Sequence, residues 1–260
     1  MTAQEIINEI KPLGSESYKK ILFNHGVREP CLGVKIGDLK KIQKRIRKNY
    51  QLALDLYDTG IYDAMYLAGM IADSERMTKK DLQRWADKAY GAALGTTVSS
   101  AAAGSPVGRE VAMEWIDSKK ECVAAAGWST LSDIVSTKDD AKLDTAELKR
   151  LLQRVQKTIH QAPNTVRYVM NSFVICVGSY VPALTDLALE IGEKIGRVDV
   201  DMGNTACEVP FAPDYIRKVQ KRGAIGKKVS CSIYSLRPRG CRRVDAGDKS
   251  CLRYRAEAGF

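Results

Sequence analysis

The stretch from Gly33 to Asp73 joins a basic helical pattern to an apolar one. Its first half repeats apolar residues at helical spacing, which predicts one buried stripe made of Ile36, Leu39, Ile42 and Ile46. Its second half, from Ile61 to Ala72, carries a single charge, at Asp63, so a helix there should be covered on all sides. We predict a helix pair, and such pairs usually need further pairs stacked beside them.

More helical patterns follow this stretch. Thr78 and Asp81 have the spacing of a capping box before an apolar face. Helices are predicted from Lys119 to Val135 and from Asn164 to about Gly178. The charge-free run from Ala89 to Gly108 is interrupted by glycines, so its helical state stays open. Only residues 198–202 suggest the alternation of a strand.

These patterns predict an all-α protein. Many short, unlike helices joined by short loops favour a HEAT-like helical repeat solenoid with a concave basic face, and a globular multi-helix domain is the alternative. We predict one solenoid domain over residues 1–228. Residues 229–260 lack usable periodicity and are predicted to be a mobile basic extension.

Charge is distributed unevenly along the 260 residues. The net charge of +10 comes from 41 basic and 31 acidic residues. Residues 217–260 hold 13 basic and three acidic residues, so the part before them is balanced at 28 of each sign. The body should therefore be basic only in local patches, and a basic tail could add sequence-independent attraction to nucleic acid.

Several function classes find no support in the residues. The seven cysteines form no CxxC pair and the two histidines lie far apart, so we expect reduced thiols, a cytoplasmic protein and no metal. The start of the chain does not resemble a signal peptide, and we expect no membrane span. Phosphate-binding loops and a serine nucleophile with a histidine partner are also missing, so we expect no cofactor. The three tryptophans occupy apolar helical positions, where core packing is the expected role.

The basic helix is the strongest functional signal in the composition. Its cations could neutralise DNA phosphates along a backbone, although a solvated helix face is the alternative. The predicted phosphate-binding residues on this helix are Lys40, Lys41, Lys44, Arg45 and Lys48. Weaker candidates are Lys119, Lys120 and Arg167, and a clamp from the other end could use Arg217, Lys218, Lys221, Lys227 and Lys228.

Four motifs in fixed order carry a family resemblance. They read GVKIGDLKKI, LYDTGIYDAMYLAGMIAD, MTKKDLQRWADKAY and APNTVRYVMNSFVICVGSY. In this order they resemble the DNA alkylation repair family of AlkD type, from about Tyr18 to Lys228. The resemblance implies a HEAT-like solenoid with a concave basic surface that holds duplex DNA. It also implies metal-free hydrolytic release of N3- or N7-alkylated purines without swinging the base into a deep pocket.

The chain departs from this family where its chemistry resides. The family's catalytic segment is rich in tryptophan and contains an aspartate, but here it reads GAALGTTVSSAAAGSP. The family's arginine would fall near Val123 or Ala124, and its second lesion-facing tryptophan near Ser172. Glycosidic cleavage builds positive charge on the sugar, which an adjacent carboxylate stabilises, and aromatic faces favour a cationic lesion. The segment supplies neither, so the catalytic residues stay unassigned.

Three hypotheses follow. The first is a DNA-binding member of the alkylation repair family that contacts phosphates and has weak or no glycosylase activity. The second is an active glycosylase that uses a carboxylate not identified in the sequence. The third is a protein-binding solenoid whose lysines serve only solubility.

Overall fold

The protein is helical throughout the part that the computed structural model describes, residues 1–203 and 208–229. Thirteen α-helices and no β-strand occur in these two ranges. In chain order they are α1 Ala3–Ile10, α2 Glu16–Asn24, α3 Ile36–Ile46, α4 Tyr50–Asp58, α5 Tyr62–Ile71, α6 Lys79–Lys88, α7 Gly91–Gly104, α8 Gly108–Trp115, α9 Glu121–Thr137, α10 Thr145–Thr158, α11 Asn164–Tyr180, α12 Thr185–Ile195 and α13 Ala212–Lys221.

Side-chain caps explain where many of these helices begin. The first turn of a helix has backbone N–H groups without helical partners, and a side-chain oxygen can accept from them. Thr78 and Asp81 form the predicted capping box at the start of α6. Asn49 accepts from the Leu52 N–H to begin α4, and Asp144 accepts from the Glu147 N–H to begin α10.

The helices form two layers. Helices α5, α7, α9 and α11 pack against one another in a row and make the inner layer. Helices α4, α6, α8 and α12 each pack against an inner helix, and together with α10 they make the outer layer. This arrangement is a HEAT-like helical repeat solenoid, as predicted. Every residue of α5 is buried, which confirms that this helix is covered on all sides.

The inner helices α9 and α11 run parallel. At their N-terminal ends, a carboxylate oxygen of Glu121 accepts from the Thr165 N–H at 2.6 Å. At their C-terminal ends, Lys228 Nζ donates to the carbonyls of Val135 and Tyr180. Corresponding ends of neighbouring inner helices therefore lie side by side.

Two glycines allow close approach, one between two inner helices and one between an inner and an outer helix. A Cβ on Gly69 of α5 would lie 2.0 Å from Thr97 Cγ2 of α7, and a Cβ on Gly127 of α9 would lie 2.7 Å from the backbone N of Ile116. Real carbon atoms cannot come so near, so only glycine fits at these two contacts.

Ion pairs connect successive outer helices. Lys88 binds Asp58 at 2.7 Å and joins α6 to α4, and Lys79 binds Glu110 at 3.1 Å and joins α6 to α8. Arg109 of α8 makes two hydrogen bonds, of 3.0 and 2.6 Å, with the carboxylate of Glu147 in α10. These charged side chains of the outer layer are thus paired with one another.

The stretch from Gly33 to Asp73 contains three helices rather than the two predicted. Helix α4 lies between α3 and α5 and packs against α5. Its apolar residues run almost without interruption instead of forming one stripe, which hid the helix from a periodicity argument. They are Leu52, Ala53, Leu54, Leu56 and Tyr57, all buried.

Three other predictions concern the charge-free run, residues 198–202 and the C-terminal extension. The charge-free run forms helix α7, because its small residues pack between α5 and α9. Residues 198–202 form no strand. The predicted extension lies outside the described residues, apart from Val229, whose N–H donates to the Ser136 carbonyl at 3.0 Å.

In the described ranges, no single helix is long and apolar enough to cross a membrane, and only the bent pair Asn164–Tyr180 and Pro182–Ile195 reaches that length and composition.

Candidate nucleic-acid interface

The ends of the four inner helices form two edges of the inner layer. The N-terminal edge consists of the residues that precede the helices, Ile61, Tyr90, Lys120 and Pro163. The C-terminal edge consists of the residues that follow them, Ala72, Ser105, Lys138 and Val181. Helices α9 and α11 have 17 residues each, so the edges lie about 25 Å apart there. Aligned helix dipoles give the N-terminal edge a partial positive charge.

The predicted basic helix α3 reaches the C-terminal edge. The Asn49 N–H donates to the carbonyl of Ile71, the last residue of α5, at 2.8 Å. Lys48, which lies just before Asn49, binds Asp73 at 3.5 Å. The end of α3 and the end of α5 are therefore neighbours, and the cations of α3 project beside the inner layer.

The four candidates on α3 and Lys48, which follows the helix, are not equivalent. Lys41 binds Asp38 at 2.8 Å, and Arg45 binds Glu9 at 2.6 Å. These ion pairs partly neutralise both charges, as Asp73 does for Lys48. Lys40 is partly buried. Lys44 is exposed and makes no ion pair with any described residue. Lys44 is thus the α3 cation most available to a phosphate.

Three further candidates belong to the helix starts at the N-terminal edge. Lys119 and Lys120 directly precede α9, and Arg167 lies in the first turn of α11, which Glu121 joins to α9. Lys120 binds Asp87 at 2.7 Å, and this hydrogen bond raises the pKa of the Lys120 ammonium group. Arg167 has a buried Nε without a hydrogen-bond partner among the described residues. The starts of α9 and α11 are therefore neighbours, and the Lys120 side chain points to Asp87 of α6.

Helix α13 carries three of the five remaining candidates. Lys218 and Lys221 are exposed, whereas Arg217 binds Glu193 at 2.6 Å. After α13 the chain returns to the C-terminal edge, where the Gly226 N–H donates to the Ser179 carbonyl at 2.9 Å. Lys227 is exposed at this point. This end of the interface is formed by a helix that packs on α11 and α12.

Lys228 has a role within the protein rather than on its surface. Its Nζ donates to the carbonyls of Val135 at 3.0 Å and Tyr180 at 2.7 Å, and it binds Asp140 at 2.7 Å. These carbonyls belong to the last turns of α9 and α11, where a positive charge is favoured by the helix dipole. With its side chain only 17% exposed, Lys228 joins two inner helices instead of reaching outward.

The inner surface, which is the side of the inner layer left uncovered by the outer helices, is lined by small residues. The partly exposed positions in the middle turns of α7, α9 and α11 include Thr96, Ser129, Ser172 and Cys176. All three tryptophans are buried in the core, as predicted, and Trp85 stacks on Tyr57 with ring centroids 4.2 Å apart. In the middle turns of these helices, uncharged side chains therefore separate the two edges.

The positions where the family resemblance suggests catalytic residues hold other groups. Val123 and Ala124 are buried at 2% and 5% exposure, so neither faces the inner surface. Ser172 is partly exposed, and its hydroxyl donates to the Tyr168 carbonyl at 3.0 Å. Neither the guanidinium nor the indole of the family pattern has a replacement at these positions.

Asp133 is a buried carboxyl group that the sequence analysis missed. It lies on α9 and is 4% exposed, and its Oδ2 accepts from the hydroxyls of Ser99 at 2.9 Å and Ser100 at 3.3 Å. Both serines belong to α7, the segment in which the family's aspartate is expected. The signal that could have revealed it is a single acidic residue inside the otherwise uncharged run between Glu121 and Lys138.

Burial determines the charge of Asp133. Removal from water disfavours the carboxylate and raises the pKa of Asp133 to about 8, although the two serine hydroxyls act in the opposite direction. At neutral pH this side chain is therefore protonated. The other carboxylate on α7, α9 and α11, that of Glu121, accepts from the Thr165 N–H at the N-terminal edge. Neither group places an ionised carboxylate at the centre of the inner surface.

Cation-binding chemistry is not supported by this geometry. In the described ranges, no three His, Cys, Asp or Glu side chains lie together in a way that could hold a metal ion. The exposed cations Lys44, Lys119, Lys218 and Lys221 suit an anionic ligand instead.

Comparisons with known proteins agree with this arrangement. Residues 4–200 match the model of a family described as DNA alkylation repair enzymes. Lmo0209 of Listeria monocytogenes, an uncharacterised protein, is 31% identical over 228 residues, which cover 85% of this chain and 99% of that protein. Lin0241 of Listeria innocua, also uncharacterised, is 30% identical with the same coverage.

A solved structure is similar in fold as well as in sequence. It is described as a new family of proteins related to the HEAT-like repeat DNA glycosylases with affinity for branched DNA structures. The TM-score is 0.81 at 35% identity, and the match covers 88% of this chain and 97% of that one. The chain therefore belongs to the DNA alkylation repair enzyme family.

Proposed function

We propose that this protein binds DNA, branched structures included, through phosphate contacts along the two cationic edges, and that it does not release alkylated bases. The observation that carries the proposal is the position of exposed cations on both sides of an uncharged inner surface. Lys44 lies in the last turn of α3, after which Lys48 and Asn49 contact the end of α5, and Lys119 lies next to Lys120 at the N-terminal edge. Phosphates on either side of a groove could contact both edges at once.

Branched DNA enters the proposal through the similar solved structure, whose family is described as having affinity for such DNA. The physical argument agrees with this. An inner surface of small residues permits close approach of a backbone, and edge cations bind phosphates without reading bases. A protein with these properties recognises the shape of DNA rather than its sequence.

The absence of base release is proposed from the chemistry of Asp133. Glycosidic cleavage needs a negative charge next to the developing sugar cation. Asp133 is the carboxyl group held against α7, but burial keeps it protonated at neutral pH. Its position nevertheless makes it the strongest candidate for the catalytic carboxylate in the alternative function, hydrolysis of alkylated purines.

The salt dependence of binding tests the DNA proposal. If about six phosphates are neutralised, log affinity should fall with log salt concentration at a slope of roughly −5. A three-way junction should compete for the protein better than a duplex of equal length. A slope near zero, or no binding at low salt, would contradict the proposal and favour a protein-binding scaffold.

Charge-reversal variants test the assigned edges. Lys44→Glu and Lys119→Glu should each weaken binding to every DNA sequence alike, because phosphates carry no sequence information. Lys149→Glu is the matched control, since Lys149 is an exposed lysine of the outer helix α10. If Lys149→Glu weakened binding as much as the two edge variants, the interface would have to include the outer layer.

A further inference from the structure

Beside the start of α7, the N-terminal edge also carries an arginine and aromatic side chains. Tyr90 immediately precedes this helix, and its hydroxyl donates to the Arg28 carbonyl at 3.2 Å. The Arg28 guanidinium lies over the Tyr90 ring, with Cζ 5.7 Å from the ring centroid. Tyr90 in turn packs beside Tyr62 of α5, with ring centroids 6.4 Å apart. One face of the guanidinium is thus held against an aromatic group that belongs to the inner layer.

The loop that presents Arg28 is fixed at several points. The Tyr62 N–H donates to the Pro30 carbonyl at 2.9 Å. The Glu29 carboxylate accepts from the Cys31 N–H at 2.8 Å and binds Lys19 at 3.2 Å. Because Glu29 is occupied in this way, the nearest acid does not neutralise Arg28. Arg28 is exposed and makes no ion pair with a described residue.

Phe23 adds an exposed aromatic side chain to the same loop. It lies in the last turn of α2, five residues before Arg28, and is 38% exposed. The Gly26 N–H donates to its carbonyl at 2.9 Å. The Gly26 carbonyl lies beside Gly91 at the start of α7, where a Cβ would be 3.6 Å from that oxygen. The loop that follows Phe23 therefore lies against the start of α7 at both Gly26 and Arg28.

This combination differs from a simple phosphate site. A phosphate needs only a positive charge, which a flexible lysine supplies. A guanidinium over a tyrosine ring, in a loop that follows an exposed phenylalanine, provides planar groups on which a nucleobase can stack. Duplex bases are already stacked, whereas bases at a branch point can be unpaired and open to such contact.

We propose that Arg28, Tyr90 and Phe23 form a stacking site for an unpaired nucleobase at the branch point of DNA. This inference rests on the proposed DNA-binding function and extends it from phosphate contacts to a base contact. It also supplies a reason for preferring branched DNA over a duplex, because only the branched ligand offers a free base face.

The test uses a three-way junction with 2-aminopurine at the branch point and a duplex that carries the same base. Binding of the full chain should quench the fluorescence of the junction probe and leave the duplex probe unchanged. Arg28→Lys keeps the charge but removes the planar group, and Phe23→Ala removes the ring. Each should abolish the quenching and weaken junction binding about tenfold, with little change in duplex binding.

Leu13→Ala is the matched control, because Leu13 is also an exposed apolar residue, at 43% exposure. It should quench the junction probe as the unaltered protein does. Both test positions are exposed, and thermal unfolding would verify that the variants fold. Quenching and junction affinity that survive in Arg28→Lys and Phe23→Ala would overturn the stacking site. Loss of salt-dependent binding to both DNAs in the unaltered protein would instead overturn the proposed function.

Discussion

The hydroxyl of Ser99 in α7 donates a 2.9 Å hydrogen bond to Oδ2 of Asp133 in α9. The contact joins two inner helices at a point where the solenoid would otherwise have only apolar packing. Ser100 donates to the same oxygen at 3.3 Å, so the carboxyl group has two hydroxyl partners and no cation partner among the described residues. A carboxyl group in this environment should make both stability and chemistry depend on pH.

The stability of Asp133→Asn relative to the unaltered protein should increase as pH rises. The pKa of Asp133 is raised to about 8 in the folded protein from an ordinary value of 3.8, so the folded state retains a proton that the unfolded chain releases. The contribution of Asp133 is therefore fully favourable below about pH 4 and is lost as pH rises to 8. Relative to the variant, the unaltered protein should lose stability progressively as the pH rises from about 5 towards 8.

Urea unfolding of both proteins at pH 5, 6, 7 and 8 measures this difference. Asp139→Asn is the control for the loss of a carboxyl group, because Asp139 is exposed on the surface. A stability difference for Asp133→Asn that does not change with pH would mean that Asp133 ionises normally in the folded state.

The unaltered protein should not release free base from a duplex containing N7-methylguanine at pH 7 above the spontaneous rate. The reason is that Asp133 is protonated there and cannot stabilise positive charge on the sugar. Chromatography of the released base measures the rate. Release that increases through pH 8 and disappears in Asp133→Asn would identify Asp133 as the catalytic carboxylate and support the glycosylase alternative.

Lys44→Ala should reduce the salt slope of DNA binding by about one, because it removes a cation without an internal ion pair. Lys41→Ala, on the same helix, should reduce it less, because Asp38 already binds Lys41 at 2.8 Å. Fluorescence anisotropy of labelled DNA over a salt series measures both slopes. Equal effects of the two substitutions would show that DNA displaces Asp38 from Lys41.

Lys228→Met should lower the free energy of unfolding by about 2 to 3 kcal/mol, because it removes charge-assisted hydrogen bonds to two carbonyls. Lys227→Met is the neighbouring control and should have little effect, since Lys227 is exposed. Urea unfolding measures both. If the two variants were equally stable, the contacts of Lys228 with Val135 and Tyr180 would contribute nothing.

Apolar periodicity predicted the fold because each helix buries a stripe or a whole surface, and that property is local in the sequence. The buried helix α5 is the clearest case, and α4 was missed because its apolar residues do not form a stripe. The site depends on contacts that no local pattern reports. Asp133 and Ser99 are 34 residues apart, and Lys228 reaches a carbonyl 93 residues away. In the sequence alone, Lys228 was therefore indistinguishable from the other basic residues near it.

The contact between Lys228 and Val135 also has a consequence for the order of events during protein synthesis. Contacts in a solenoid join neighbouring repeats, so early repeats can assemble while later ones are still being translated. The 93 residues between Val135 and Lys228 break that rule. The last turns of α9 and α11 therefore obtain their common cation only after the ribosome has passed residue 228. A nascent chain can build the N-terminal edge first, and the opposite edge is completed last.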